Sequence, residues 1–189
     1  MKSNPRMSIE MKSALLIIDV QVGIATGKDI CAGWPTIIGN IAKLIADARS
    51  RNIPVIFVQH DGSAGDLLEP KGAGWALCPE LGVTASDNII RKTACDAFYG
   101  TTLEATLRDL GVTRLIVTGC MTEFCVDTSV RRAVSLGFDV TLASDGHGTW
   151  NSRTLDAGKI IEHHNSLLNQ FSAGPATVTV TPSRAVAFS

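Results

Sequence analysis

Short apolar runs alternate along the chain with longer segments of helical period. The runs are rich in Val, Ile and Leu with little polar alternation, which is typical of strands covered on both faces of a parallel sheet. Strands are predicted at Ala14–Val20, Ile53–His60, Asn88–Arg91, Arg114–Gly119, Phe138–Ser144 and Ala176–Thr181. Helices are predicted at Ile37–Arg51, Thr101–Leu110, Cys125–Leu136 and about Leu155–Phe171. This succession predicts an α/β fold, a three-layer α/β/α sandwich around a mostly parallel six-stranded sheet.

The pattern is continuous enough for one domain. The chain has 189 residues, and no linker, repeat or low-complexity stretch interrupts it. We therefore expect residues 1–13 to form a flexible N-terminal arm and residues 14–189 to form a single domain. In such folds the ligand cleft lies beyond the carboxyl ends of the strands, so candidate functional residues are sought there.

The composition and charge of the chain argue against nucleic-acid and membrane partners. Hydrophobic residues make up 45% of the chain, and 17 Lys and Arg stand against 18 Asp and Glu. Because no basic arm or like-charge block occurs, no nucleic-acid partner is expected. The apolar stretches are far shorter than the roughly 20 residues that cross a bilayer, and the N-terminus lacks the apolar core of a signal peptide. We expect a cytoplasmic protein with no membrane partner and a small-molecule substrate.

The five cysteines are odd in number, widely spaced and free of any Cys-x-x-Cys pair. This spacing argues against a disulfide framework and against a structural zinc site. In a reduced compartment, the question is which of them is a reactive thiolate. Cys120 falls at the end of an apolar strand, where inert packing is expected.

Three polar residues stand at or just beyond predicted strand ends. Asp19 follows an apolar strand, Lys92 follows the third strand, and Cys125 lies in the first turn of the helix after the fourth. The free N–H groups and dipole of a helix N-terminus favour a thiolate, and a nearby lysine strengthens the effect. We expect Cys125 to have a lowered pKa and to be the fastest of the cysteines to react with alkylating agents. Together the three residues predict a nucleophile, an acid/base and a cation in one cleft.

Weaker candidates surround this group. Gln21, His60, Trp75 and Tyr99 are predicted substrate contacts, because each lies in a segment that flanks the cleft. Several further residues keep two interpretations. Trp34 is a lid or a core residue, and Asp145–Trp150 borders the cleft or a subunit interface. The pair His163 and His164 is either solvated or at a subunit contact, or else has a ligand role. The segment Gly23–Asp29 lacks the spacing of a phosphate-binding loop, so no nucleotide cofactor is expected.

Several separated motifs, in order, resemble those of the isochorismatase-like cysteine hydrolases, a superfamily that includes nicotinamidases and N-carbamoylsarcosine amidases. The resemblance runs from Ala14 to about Pro182 and is carried by Leu16–Gln21, Cys78–Leu81, Lys92 with Ala97–Leu103, and Gly119–Val126. It implies the three-layer sandwich fold and an Asp19, Lys92 and Cys125 triad. It also implies an oxyanion hole formed by the backbone N–H groups of Met121 and Cys125, a cis Cys120–Met121 peptide bond, and a homo-oligomer.

Two departures from family patterns refine the expected function. Nicotinamidases carry an Asp-x-His metal site after the second strand, whereas this chain has His60-Asp61-Gly62-Ser63, so no metal and no cofactor are expected. True isochorismatases lack the nucleophilic cysteine, whereas this chain has Cys125. The resemblance therefore implies cleavage of a small amide, ureido or carbamoyl C–N bond through a thioester. The alternatives are ether or ester hydrolysis, or a non-catalytic binding or thiol-sensing protein on the same fold.

Overall fold

The computed structural model describes residues 11–26 and 33–188, which form an α/β sandwich. Its strands are β1 (Ser13–Ile18), β2 (Val55–His60), β3 (Asn88–Lys92), β4 (Arg114–Cys120), β5 (Asp139–Gly148), β6 (Ser172–Ala173) and β7 (Ala176–Thr181). They form one 7-stranded sheet in the order β3-β2-β1-β4-β5-β7-β6, in which only β6 and β7 pair antiparallel. The predicted parallel sheet is confirmed. The strand count was one too low, because β6 is too short to give a periodic signal.

The helices connect these strands. They are α1 (Val22–Thr26), α2 (Trp34–Ser50), α3 (Leu103–Asp109), α4 (Asp127–Ser135) and α5 (Ala157–Leu168). Single 3₁₀ turns lie at Pro79–Leu81 and Ser183–Ala185, and a π-helical turn at Thr122–Val126 leads into α4. The predicted helix around Cys125 therefore begins earlier than expected, and α1 was not predicted because five residues are too few to show a helical period.

The burial of β1 shows how the layers form. Its residues are all buried, and successive side chains point to opposite faces of the sheet. Leu15 and Ile17 pack with the apolar side of α2, whereas Leu16 and Ile18 pack with α3 and α4. Each such side chain stabilises the fold by about 1.5–3 kcal/mol relative to its exposed state. A strand that is apolar on both faces thus requires helices on both faces, which confirms the predicted three-layer arrangement.

Glycine is required where β1 and β4 end side by side. Gly119 pairs with Ile18 and has a φ of 126°. A Cβ atom built on Gly119 would lie 2.0 Å from the carbonyl oxygen of Ile18. The close approach of these two strand ends therefore depends on the absence of a side chain.

Most of the predicted N-terminal arm lies outside the described residues. The predicted arm spans residues 1–13, but Ser13 is already the first residue of β1. Residues 1–10 lie outside the described residues, as does Cys31. Within the described part of the chain, no helix is long and apolar enough to span a membrane.

We predict that Gly119→Ala lowers the free energy of unfolding by about 3 kcal/mol or more, because a methyl group at this position must push β4 away from β1. The matched control is Gly39→Ala within α2, where an added Cβ has nothing within 4 Å. That change should stabilise the protein by about 0.5–1 kcal/mol. Urea unfolding of both variants measures the difference, and equal stabilities would contradict the proposed close contact.

Candidate functional site

Four neighbouring strands bring the candidate residues to one edge of the sheet. Because β3, β2, β1 and β4 are adjacent and parallel, their carboxyl ends lie side by side. Lys92 ends β3, His60 ends β2, Asp19 follows β1 and Cys120 ends β4. Cys125 lies in the π-helical turn after β4. The fold thus assembles residues that are more than 100 positions apart in sequence.

The backbone turns sharply at Asp19. Its φ of 52° places it in the left-handed region, which Asp tolerates better than most residues. Its N–H still donates to the carbonyl of Val58 at 3.0 Å, while its own carbonyl accepts from the Gln21 N–H at 2.9 Å. The strand therefore stops at Asp19, beside the other strand ends.

A buried ion pair lies at the centre of the site. The Nζ atom of Lys92 is 2.6 Å from Oδ2 of Asp19, and both side chains are almost fully buried. The same ammonium group donates to the carbonyl of Ala94 at 2.8 Å and to Sγ of Cys125 at 3.3 Å. Lys92 thus connects the carboxylate to the thiol and is fixed by a backbone acceptor.

His60 completes the polar group around Lys92. Its Nδ1 atom lies 3.2 Å from Nζ of Lys92. Because an ammonium group has no acceptor, Nδ1 must accept, and the imidazole carries its proton on Nε2. Burial, followed by the positive charge of Lys92, lowers the pKa of His60. His60 is therefore neutral at physiological pH.

Burial raises the pKa values of both partners of the expected proton transfer. The pKa of the Cys125 thiol is raised by burial and then by the negative charge of Asp19, with Lys92 acting in the opposite direction. Burial likewise raises the pKa of Asp19, against the effect of Lys92. The prediction of a lowered thiol pKa is thus wrong for the resting site. The thiol stays protonated beside a carboxylate that accepts protons more readily than an exposed one.

The turn that carries Cys125 is supported from below by a buried histidine. Nδ1 of His147 lies 2.9 Å from Oγ1 of Thr122, and its Nε2 lies 2.9 Å from Oδ1 of Asn165. Nδ2 of Asn165 donates to the Ser144 carbonyl at 3.0 Å, so its Oδ1 faces the ring as an acceptor. The Thr122 hydroxyl therefore donates to Nδ1. Burial lowers the pKa of His147 to about 4, which keeps it neutral.

A cavity of about 470 Å³ opens beside these groups. Its wall is mainly apolar and contains two thiols, of Cys95 and Cys125, a neutral imidazole and two carboxyl groups. The lining residues are Asp19, Ile24, His60, Asp66, Leu67, Leu68, Cys95, Met121, Phe124, Cys125 and Trp150. The peptide bond between Cys120 and Met121 is cis, as the resemblance implied.

Of the four predicted substrate contacts, only His60 lines the cavity. Gln21 is fully buried, and its side-chain amide is hydrogen bonded to the backbone of His60 and to the carbonyl of Trp75. The Trp75 indole donates to Asp61 at 2.8 Å and lies under Arg91. The Tyr99 side chain is 72% exposed and lies off the cavity wall. The structure therefore corrects the contacts predicted for Gln21, Trp75 and Tyr99: the first two connect loops to the sheet.

The remaining candidate tryptophans and cysteines differ in whether they are buried in the core or lie at the cavity or the surface. Trp34 lies in the core, and Trp150 lies on the cavity wall with its indole N–H bonded to the Ile24 carbonyl. Cys78 and Cys120 are buried, whereas Cys95 is exposed. Sequence reasoning missed Asp66, Leu67, Leu68, Phe124 and Cys95 as wall residues. Only Phe124 had a usable signal, its position next to Cys125.

No group of three or more His, Cys, Asp or Glu residues in the described ranges is arranged to hold a metal ion. At the place of the Asp-x-His pattern, His60 contacts Lys92, and Asp61 is held by Arg91 and Trp75. Both positions are thus used for contacts within the protein. The absence of a metal requirement stays a prediction.

Comparison with known proteins identifies relatives among hydrolases. A streptothricin hydrolase of Streptomyces noursei is 34% identical over 138 residues, which cover 73% of this chain and 50% of that protein. The chain thus spans about half the length of the streptothricin hydrolases it matches. Nicotinamidase 3 of Arabidopsis thaliana is 28% identical over 170 residues, covering 82% of this chain and 81% of that protein.

Structural comparison gives the same result. The crystal structure of an isochorismatase from Pseudomonas putida KT2440 matches with a TM-score of 0.83 at 28% identity, covering 98% of this chain and 94% of that chain. A family model described as the isochorismatase domain matches residues 13–181, nearly the whole length of the described fold. On both grounds, the chain belongs to the isochorismatase family.

Proposed function

We propose that this protein is a cysteine-dependent hydrolase that cleaves a small amide, ureido or carbamoyl C–N bond through a thioester. The observation that carries the proposal is the contact of one buried ammonium group, that of Lys92, with both the Asp19 carboxylate and the Cys125 sulfur. Asp19 and Cys125 also line the same cavity. A nucleophile, a proton acceptor and a fixed cation thus converge where a ligand has room to bind.

The first half of the reaction forms the thioester. Asp19 takes the thiol proton as the Cys125 sulfur attacks the substrate carbonyl, which avoids a free thiolate of high pKa. The tetrahedral intermediate then expels its nitrogen. That nitrogen receives the proton from Asp19 and leaves as ammonia or an amine, while the acyl group stays bound to sulfur.

The oxyanion of the tetrahedral intermediate needs hydrogen-bond donors. We assign this role to the backbone N–H groups of Met121 and Cys125, because both residues border the cavity next to the sulfur. Lys92 stays paired with Asp19 and offsets the negative charge on sulfur. His60 presents a neutral ring to the same cavity and contacts the substrate.

The second half of the reaction regenerates the enzyme. With the leaving group gone, a water molecule gives a proton to Asp19 and attacks the thioester carbonyl. The C–S bond breaks, the product leaves as a carboxylic or carbamic acid, and the sulfur recovers its proton. Because Asp19 serves as base in each half and as acid between them, its raised pKa suits the cycle.

We predict that Cys125→Ala lowers turnover by at least about a thousandfold, because the covalent step is removed. The assay is ammonia release from a panel of primary amides, ureido compounds and carbamoyl compounds, with mass spectrometry of the trapped acyl group on Cys125. Cys78→Ala is the matched control, because this buried thiol lies away from the cavity wall. It should retain turnover after correction for folded fraction.

Wild-type rates in Cys125→Ala would contradict the nucleophile assignment. Activity on vinyl ethers or esters that survives in this variant would instead support the ether or ester hydrolase alternative. A protein that hydrolyses none of the panel, while its cavity still binds these compounds, would favour the non-catalytic alternative.

We predict opposite effects of Asp19→Asn on the two reactions of Cys125. Turnover should fall by about a hundredfold or more, because no group accepts and returns the proton. Alkylation by iodoacetamide should begin at lower pH than in the wild type, because the negative charge that raises the thiol pKa is gone while Lys92 remains. Asp109→Asn, an exposed carboxylate on α3, is the control. An unchanged alkylation profile would contradict the assigned charge coupling.

We further propose a homo-oligomer located in the cytoplasm. The oligomer is supported by large side chains that a single chain leaves exposed, those of Tyr99 (72%), Leu155 (50%) and Leu167 (48%). We expect sedimentation at micromolar concentration to give a mass above the 20.0 kDa of one chain. A monomer under these conditions would contradict the proposal.

A further inference from the structure

The reacting end of the cavity carries little net charge. Asp19 and Lys92 compensate each other at 2.6 Å, and the neighbouring His60 is neutral. The Cys125 thiol is protonated at rest. A charged substituent on a substrate therefore meets no uncompensated charge at this end.

Asp66 lies on the same wall and differs from these groups. Its Oδ1 atom accepts the Leu68 N–H at 2.8 Å, a bond within its own loop. None of the ion pairs among the described residues includes Asp66. It is thus the one carboxylate on the described wall whose charge no protein cation neutralises.

The loop fixes the position of this carboxylate. The Gly62 N–H donates to the Leu68 carbonyl at 3.0 Å, which closes the loop around Asp66. A Cβ atom built on Gly62 would lie 2.5 Å from Oδ1 of Asp66. The Asp66 side chain therefore packs directly against Gly62, and any side chain at position 62 must displace it.

The remaining wall residues supply no positive charge that could neutralise Asp66. Ile24, Leu67, Leu68, Phe124 and Trp150 surround the cavity with apolar groups, and no Lys or Arg is among its described lining residues. Asp66 is itself exposed to solvent, so water partly screens its charge, while its apolar neighbours place no opposing charge inside the cavity. A cation that binds here gains an attraction that a neutral group of equal size lacks, and an anion is repelled.

We propose that Asp66 is a specificity-determining residue that selects substrates with an apolar body and a positively charged substituent, and disfavours substrates with a carboxylate. This inference rests on the proposed amide hydrolysis for its reaction but not for its charge preference. Asp66 acts in substrate binding, through KM, and takes no part in the bond-breaking steps.

The first test uses amides of matched length: 6-aminohexanamide, hexanamide and adipic acid monoamide, which are cationic, neutral and anionic. The wild type should prefer them in that order in kcat/KM. Asp66→Asn should lower the ratio of kcat/KM for the cationic over the neutral amide about threefold, mostly through the KM of the cationic amide. Equal rates for the cationic and neutral amides in the wild type would overturn the inference while amide hydrolysis itself stands.

A second test needs no hydrolysis. Cationic 2-aminoethyl and anionic 2-sulfonatoethyl methanethiosulfonate transfer a thioalkyl group to the Cys125 sulfur with loss of methanesulfinate, and peptide mass identifies the modified cysteine. The same Cys125 sulfur attacks both reagents, so the ratio of their rates reports the charge of the cavity. Asp66→Asn should lower the cation-to-anion ratio about tenfold, and added salt should reduce the effect.

Two further variants complete the design. Glu69→Gln removes an exposed carboxylate of the same loop that is absent from the cavity wall, and it should leave the ratio unchanged. Gly62→Ala displaces the Asp66 carboxylate without changing its charge and should lower the ratio. If the ratio is the same in the wild type and Asp66→Asn, the inference is wrong. If the ratio changes as expected but no compound of the amide, ureido and carbamoyl panel is hydrolysed, the proposed function fails and the charge selection stands.

Discussion

The buried ion pair between Asp19 and Lys92 is the constraint on which the site depends. Removing two charges from water costs several kcal/mol per ion, and that cost is offset only where geometry and further hydrogen bonds are favourable. Here Lys92 reaches across the end of β2 to Asp19 and also donates to Ala94 and Cys125. The order β3-β2-β1 is what makes this reach possible. The strand order and the contact of Lys92 with Cys125 are therefore both tied to this buried ion pair.

Burial and the charge of Asp19 keep the Cys125 thiol protonated at rest, against the opposite effect of Lys92. A carboxylate beside the sulfur opposes loss of the thiol proton, and burial acts in the same direction. In the proposed mechanism, the Cys125 thiol therefore keeps its proton until a substrate carbonyl binds, and the proton then moves to Asp19. The raised pKa of the Cys125 thiol should also slow its reaction with electrophiles from the solvent.

The sequence allowed the strands and the three convergent residues to be predicted, because apolar runs define a parallel sheet and polar residues at their ends must meet at one edge. The thiol pKa was mispredicted, since a helix N-terminus is local whereas burial and the charge of Asp19 depend on tertiary structure. Gln21 and Trp75 were misassigned for a related reason: their hydrogen-bond partners come from distant loops. Asp66 lies in a loop without periodicity, so nothing in its neighbourhood indicated the cavity.

The buried link from Asn165 through His147 to Thr122 joins the middle of α5 to the turn that holds Cys125. Each polar atom of this link has a defined donor or acceptor role, so a substitution at one of the three residues disturbs the hydrogen bonds of the others. Residues on the inner side of α5 are thus a remote means of adjusting the orientation of Cys125. A library of substitutions restricted to that helix side could alter reactivity without touching the cavity wall, which makes α5 a sensible starting point for directed evolution.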